Sequence, residues 1–287
     1  MAKSDNANAG ISRLLVMAGA GTYPECIVRG AVAAGVPRVE VLALKGATER
    51  ATCRAAHAVR WTTLRHLAAS IRECGAAGYD GVILAGQVNP LSLFRGGFDP
   101  EVRGWLDELA VKNAHTIFHK LIEKLAACGL KVLPASLFMD GHLPGEGVLT
   151  RRPPSEGELS DIRHAGAVVR DIGCHDVGQT VMVKAGMVLA VEAFEGTNAA
   201  IRRGGKLGGR GAVVYKAARE GHDMRFDIPV VGLKTLRTMK KAGATALAFQ
   251  AGRLILLDRD EVIDYADRHG IAMVGIESGL GHAPLRP

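Results

Sequence analysis

A chain of 287 residues with 48% hydrophobic and 23% charged residues can bury a full core, as one large or two ordinary domains, which excludes extensive disorder beyond its ends. Its formal charge of +7 directs it towards anions, namely phosphorylated metabolites, acidic lipid head groups or nucleic acid. An aromatic share of 5% and the lack of any block of consecutive Lys/Arg make nucleic acid an unexpected partner.

Five scattered cysteines (Cys26, Cys53, Cys74, Cys128, Cys174) form no CxxC, the pattern of reduced thiols in a cytoplasmic protein. The first ten residues are polar and no apolar run is long enough to span a bilayer, so neither a secretory signal nor a membrane span is expected. Any membrane contact is then expected to be peripheral, at the cytoplasmic face.

In chain order, residues 13–18 predict a strand running into Gly19-Ala20-Gly21-Thr22-Tyr23-Pro24 and a helix to about Gly35, the opening βα unit of a nucleotide-binding type fold. Gly19 and Gly21 either let backbone N–H groups approach a phosphate or make a tight connection; the pattern is G-x-G-x-x-P, not G-x-G-x-x-G. Residues 39–44 predict a second strand, followed by Leu44-Lys45-Gly46 where a nicotinamide-binding fold needs an acid. A helix is expected over 62–74 and a third strand over 81–85, whose carboxyl end offers Gly86, Gln87 and Asn89 as contacts. Residues 102–128 read as one helix with His115 and His119 a turn apart, without the HExxH carboxylate, and 131–134 as a short strand. Gly, Pro, His and Arg dominate 138–154, so the domain division is placed near Asp140, giving 1–140 and 141–287.

After a helix over 156–173 comes DVGQTVMVKAGMVLAVEAFEGTN at 176–198, an apolar hairpin broken at Ala185-Gly186. Its second strand ends in Glu192 and Glu195 before a Gly196-Thr197-Asn198 turn. Buried carboxylates need a partner, so these either reach water or hold a cation. VKAGMVLAVE at 183–192 lines up with FQAGRLILLD at 249–258, each flanked by helices, which predicts a helix-hairpin-helix unit used twice in a C-terminal α+β domain. Between the copies, residues 204–211 read as a glycine-rich loop carrying Lys206 and Arg210, either a flap over phosphate or a surface crossover. Lys216 ends a short strand. Asp223, Arg225 and Asp227 share one side if that segment is extended. Carboxylates, Lys and Arg in this set suit divalent-metal phosphate chemistry, with Mg²⁺ on oxygen ligands and the cations on phosphate oxygens.

Several motifs also carry a resemblance. AGAGTYPE at 18–25, LAGQVNP at 84–90, DIGCHDVGQTVMVKAGMVLAVEAFEGTNAAIRR at 171–203, GAVVYKA at 211–217, MRFDIPVVG at 224–232 and AGRLILLDRDEVI at 251–263 are similar to LpxI-type UDP-2,3-diacylglucosamine pyrophosphatases of lipid A biosynthesis. The resemblance implies an N-terminal Rossmann-like domain, a distinctive C-terminal domain and a homodimer. It also implies Mg²⁺-dependent hydrolysis of UDP-2,3-diacylglucosamine to UMP and 2,3-diacylglucosamine 1-phosphate. The surplus positive charge then fits transient docking at an anionic surface, that of the inner membrane. Asp227, in MRFDIPVVG, takes the place of the family's essential aspartate. Around it Glu192 and Glu195 are expected as metal or water partners, Asp223 as a further metal ligand, Lys216 and Arg225 as phosphate clamps, and Gln179, Thr197 and Asn198 as polar contacts. The segments 1–10 and 151–161 depart from the pattern. The rival readings are a nicotinamide-dependent oxidoreductase and a non-catalytic nucleotide-sugar sensor.

Overall fold

A computed structural model describes residues 10–87, 99–175, 177–218, 223, 225 and 228–277. The chain divides near Asp140 into two compact units, each with its own sheet, and Arg225 counts with the first of them rather than with Lys216 in the second.

The N-terminal unit is built on four parallel strands, β1 (Arg13–Ala18), β2 (Arg38–Leu44), β3 (Ala58–Thr62) and β4 (Gly81–Ala85), in the order β3-β2-β1-β4. β1, β2 and β4 are near-continuous Val/Leu/Ile/Ala runs because both faces are covered. Helix α1 (Tyr23–Ala33) buries Ile27, Val28 and Ala31. Leu15, Leu42 and Leu84 pack on the other face with Ile71 and Cys74 of α3 (Leu67–Ala76) and Ile122 and Leu125 of α5 (Ala114–Ala127).

Two expectations are corrected here. Thr62 belongs to β3, not to a helix; the strand has no apolar alternation to betray it, since it lies at the sheet edge with Arg60 and Trp61 exposed. The single helix over 102–128 is two, α4 (Pro100–Asp107) and α5. Asn113 starts α5 by a capping box, accepting from the Thr116 N–H at 2.9 Å while the Thr116 hydroxyl accepts from the Asn113 N–H. A short α2 (Arg50–Ala55) lies between β2 and β3.

The C-terminal unit carries a six-stranded mixed sheet, ordered β5-β12-β10-β8-β6-β7, from β5 (Gly147–Val148), β6 (Thr180–Lys184), β7 (Met187–Val191), β8 (Ala212–Lys216), β10 (Ala244–Gln250) and β12 (Ala272–Ile276). β8, β10 and β12 are parallel, and β6 is antiparallel to both β7 and β8. One face packs on α6 (Glu156–Gly173) through Ile162, Ala165 and Val169. The other packs on α7 (Thr197–Gly208), α8 (Leu233–Ala242) and α9 (Arg259–Arg268) through Ile201, Leu236 and Val262.

The hairpin at Ala185-Gly186 forms as expected, with both turn residues at positive φ, 49° and 75°. This is the primed turn that matches strand twist. An alanine resists that conformation, and the buried Asp161 of α6 holds it, its carboxylate accepting from the Ala185 and Gly186 N–H groups at 2.8 and 2.7 Å. Asp161→Ala is expected to lower unfolding free energy by about 3 kcal/mol, since two N–H groups lose their partner at a strained turn. Urea unfolding of the variant beside wild type reads this directly, and an unchanged midpoint rules the anchor out.

The second copy is not a hairpin, and the repeat fails there. β10 joins the large sheet, while β11 (Ile255–Leu256) pairs in parallel with β9 (Val230–Val231) in a separate two-stranded sheet. At Ala251-Gly252 only the glycine takes positive φ, and Ala251 N donates to Ile276 O and Gly252 N to Pro144 O. The chain therefore leaves the sheet instead of turning back.

Buried Glu158 at the start of α6 accepts Arg152 in two bonds, 2.7 and 3.0 Å, and caps Ser155 N at 2.8 Å. Burial pushes its carboxyl up, but the bonds from Arg152 and Ser155 outweigh that and hold it down at about 2. A folded value below the unfolded one of about 4.3 means stability that is present above that pH and lost as pH falls towards 2. Glu158→Gln is expected to flatten this part of the acid limb, by roughly 2 kcal/mol, in thermal melts between pH 5 and 2. Parallel acid limbs in the two proteins count against it.

Candidate functional site

The candidate site of the C-terminal unit lies at the end of the sheet's interior strands, where β8 and β10 finish and β6 begins. Thr180 and Lys216 are register partners on β6 and β8, so their side chains share a face. It is the face of Met182, Ala212 and Val214, over which α7 packs. Gly196, at φ 80°, turns the chain from the end of β7 into α7 and sets Thr197 at its first turn. Gly178 completes the frame, because a Cβ there meets the Glu192 carbonyl.

Three side chains interlock in this corner. Lys216 Nζ donates to Thr197 Oγ1 at 2.6 Å, and that hydroxyl donates to the Glu192 carboxylate at 2.9 and 3.0 Å. Lys216 Nζ stands 3.8 Å from Glu192 Oε2 and 3.4 Å from Thr180 Oγ1, with the Lys and Glu side chains only 6% and 13% exposed. A buried ammonium costs several kcal/mol unless countered, and Glu192 is a counter-charge for it. Asn198 Oδ1, one residue into α7, is buried and lacks a hydrogen-bond partner among the described residues, so the amide presents an open polar end here. At its other end α7 is closed by Lys184, which donates to Gly208 O at 2.6 Å.

Glu195 is apart from this cluster. Exposed, it pairs with Arg203 at 2.6 Å, and that bond holds its carboxyl below the usual range. Glu192 and Glu195 thus face different partners rather than one cation. Gln179 passes its carbonyl to Ala217 N at 3.0 Å in the same strand end. Asp223 and Arg225 are both half-buried, Arg225 in a turn, so the segment is not a continuous extended strand. Asp227 lies outside the described residues, as does Asn89. Among the described residues no three His, Cys, Asp or Glu side chains gather as a metal group. Thr180 and Gly178 were not foreseen; the alternation Thr180, Met182, Lys184 on the α7 face is the signal that marks Thr180.

The glycine-rich flap is corrected. Residues 204–208 are the C-terminal part of α7, with Gly204 against Met182 and Ala190 and Gly205 against Ala242. These glycines bring the helix close to the sheet and to α8.

In the N-terminal unit, β2 and β4 flank β1 on opposite sides, and the turns after β1 and β4 meet there. Ala20 and Gln87 bridge, with N–H to O distances of 2.8 and 3.0 Å. A Cβ on Gly19 meets Gln87 O, and one on Gly86 meets Ala20 O. Both glycines are explained by this close backbone approach; Gly21, at φ 93°, has open space around it. Beside them is an apolar pocket of about 90 Å³ walled by Met17, Leu42, Leu44, Leu84, Phe118 and Leu121. His115 and His119 stack edge-on, ring centroids 4.3 Å apart.

Two family models match, the LpxI N-terminal domain over residues 13–142 and the LpxI C-terminal domain over 145–274. The chain is 32% identical over 215 residues to UDP-2,3-diacylglucosamine pyrophosphatase LpxI of Caulobacter vibrioides, covering 70% of this chain and 76% of that protein. It is also 30% identical over 140 residues to the bifunctional purine biosynthesis protein PurH of Brucella ovis and of Brucella canis, but spans only 24% of either, against 47% of itself. Two domain models laid one on each unit, and a relative matched over most of both chains, leave one conclusion: the chain belongs to the LpxI family.

Proposed function

We propose that this chain hydrolyses UDP-2,3-diacylglucosamine to UMP and 2,3-diacylglucosamine 1-phosphate in a Mg²⁺-dependent step of lipid A biosynthesis. The reading is supported by family membership and by the named activity of the Caulobacter relative. The observation that carries it to particular atoms is the Lys216–Thr197–Glu192 cluster at the first turn of α7. A cation beside a helix N-terminus has the wrong sign for the helix dipole, and both attract an anion placed between them. A diphosphate is such an anion. Lys216 holds its oxygens and meets the charge that grows on them as water adds to one phosphorus and the bridging P–O bond breaks. Thr197 aims the ammonium, Glu192 stands opposite it as an anion partner, and the amide of Asn198 adds a polar contact.

Asp227 is assigned the essential role on the resemblance of MRFDIPVVG alone. Mg²⁺ when bound neutralises phosphate charge and lowers the pKa of bound water. Glu192 is engaged by Thr197 and Lys216, and Glu195 by Arg203, so the described residues do not by themselves fit a magnesium cage. No step here is assigned to the ion.

The N-terminal unit is read as Rossmann-like from its parallel order β3-β2-β1-β4. Its pocket is walled mostly by apolar side chains and suits the end of an acyl chain. Incubating the purified protein with UDP-2,3-diacylglucosamine, with Mg²⁺ or with EDTA, and resolving products by mass spectrometry tests the reading. UMP and the sugar 1-phosphate in equal amounts with Mg²⁺ are the expected products; intact substrate in both arms overturns it.

A further inference from the structure

Helices α7 and α8 lie against each other on one face of the C-terminal sheet, burying Ala200, Ile201 and Gly204 from the first and Thr235, Leu236 and Met239 from the second. Their remaining surface is of one sign. Arg202, Arg203, Lys206, Lys234, Arg237, Lys240 and Lys241 are all exposed, and neither helix contains an Asp or Glu. Seven cations on 22 helical residues, 12 in α7 and 10 in α8, equal the +7 net charge of the whole chain. Among the described residues Arg203 alone of the seven has an ion pair, with Glu195. The next helix, α9, mixes Asp260, Glu261, Asp264 and Asp267 with Arg259 and Arg268, so the field ends there.

The helices have an internal use for only part of this pattern. Lys240 and Lys241 sit in the last turn of α8, where the helix dipole welcomes them, but Lys234 stands in its first turn, where it does not. Lys234, Arg237 and Lys241 recur at three- and four-residue spacing and repel along one stripe. An anionic surface reverses the sign of each of these costs. Leu207 is 69% exposed on α7, the helix beside α8, and Met187 is 65% exposed on β7, the edge strand packed against α7.

We propose that the α7–α8 face docks the protein on the phosphate head groups of an anionic lipid bilayer, with Leu207 and Met187 entering the interface. Exposed aliphatic side chains find no partner on a nucleic-acid backbone but gain by entering a bilayer interface. The choice of a lipid surface rests on the proposed lipid substrate. Docking and turnover are separate readings, since vesicle binding needs no hydrolysis. No described helix is long and apolar enough to cross a membrane, so the contact is one of surfaces.

Co-sedimentation of the full chain with vesicles of phosphatidylcholine alone, or with one third phosphatidylglycerol, tests this. Binding is expected to the anionic vesicles and not to the neutral ones, and to fall steeply with salt. A quadruple variant, Lys234→Glu, Arg237→Glu, Lys240→Glu and Lys241→Glu, is expected to weaken partitioning at least about 100-fold, from roughly fivefold per basic residue. A control reversing Arg54, Arg65, Arg103 and Lys131, exposed cations of the N-terminal unit, changes net charge equally and is expected to keep most of the binding. Should the quadruple variant fail to fold, the same four positions changed to glutamine replace it. Equal loss in variant and control, tight binding to neutral vesicles, or preference for a DNA duplex over anionic vesicles overturns the proposal.

Discussion

Replacing Lys216 with methionine is expected to lower UMP release by about 10²–10³-fold, the cost of removing one preorganised charge from a phosphoryl site. The ammonium donates to Thr197 at 2.6 Å and faces Glu192 at 3.8 Å from a buried position, so methionine fills its space but leaves a buried carboxylate without its counter-charge. Breaking such a pair costs roughly 3–5 kcal/mol, which by itself reduces activity through unfolding. The double variant Glu192→Gln with Lys216→Met separates the two effects. It is expected to recover most of the thermal stability and none of the activity. Thr197→Ser keeps the hydroxyl and most of the rate, whereas Thr197→Val loses the link between ammonium and carboxylate. Recovery of activity together with stability in the double variant makes the cluster structural only.

Asp227→Ala is expected to have the other large effect, a loss of about 10³-fold or more in UMP release with substrate binding retained. The sequence motif around it, not geometry, carries this assignment. Isothermal titration with the intact UDP-lipid reads binding, and product release reads chemistry. If turnover persists in the variant, Asp227 is removed from the mechanism while the Lys216 cluster is untouched. If both binding and turnover vanish, thermal melts decide whether the unit still folds.

Part of this architecture was legible in the residues. β-branched runs around Ala185-Gly186 specify a hairpin, because the period of two and a short break leave few alternatives. The apolar strands 13–18, 39–44 and 81–85 each appear within a residue or so of their places, since strands buried on both faces read as continuous apolar runs. Lys216, Thr197 and Glu192 were singled out as polar groups at the ends of apolar segments. What was not legible was the company each keeps. Glu192 and Glu195 look alike in sequence, yet one turns inward to Thr197 and the other outward to Arg203, because Gly196 redirects the chain between them.

The amino-acid sequence alone determined the family and the first hairpin, both properties of local pattern and motif. Only the tertiary structure decided that the same Ala-Gly break turns back at 185–186 and not at 251–252. The first is held by the Asp161 carboxylate, while the second gives its N–H groups to Ile276 and Pro144, partners distant in sequence. Tertiary contact likewise made a helix of the glycines at 204–208. Their conformational freedom argues for a loop, and close packing on Met182 and Ala242 outweighs it. Local preferences of under about 1 kcal/mol per residue yield to packing terms several times larger, which only the folded chain brings to bear.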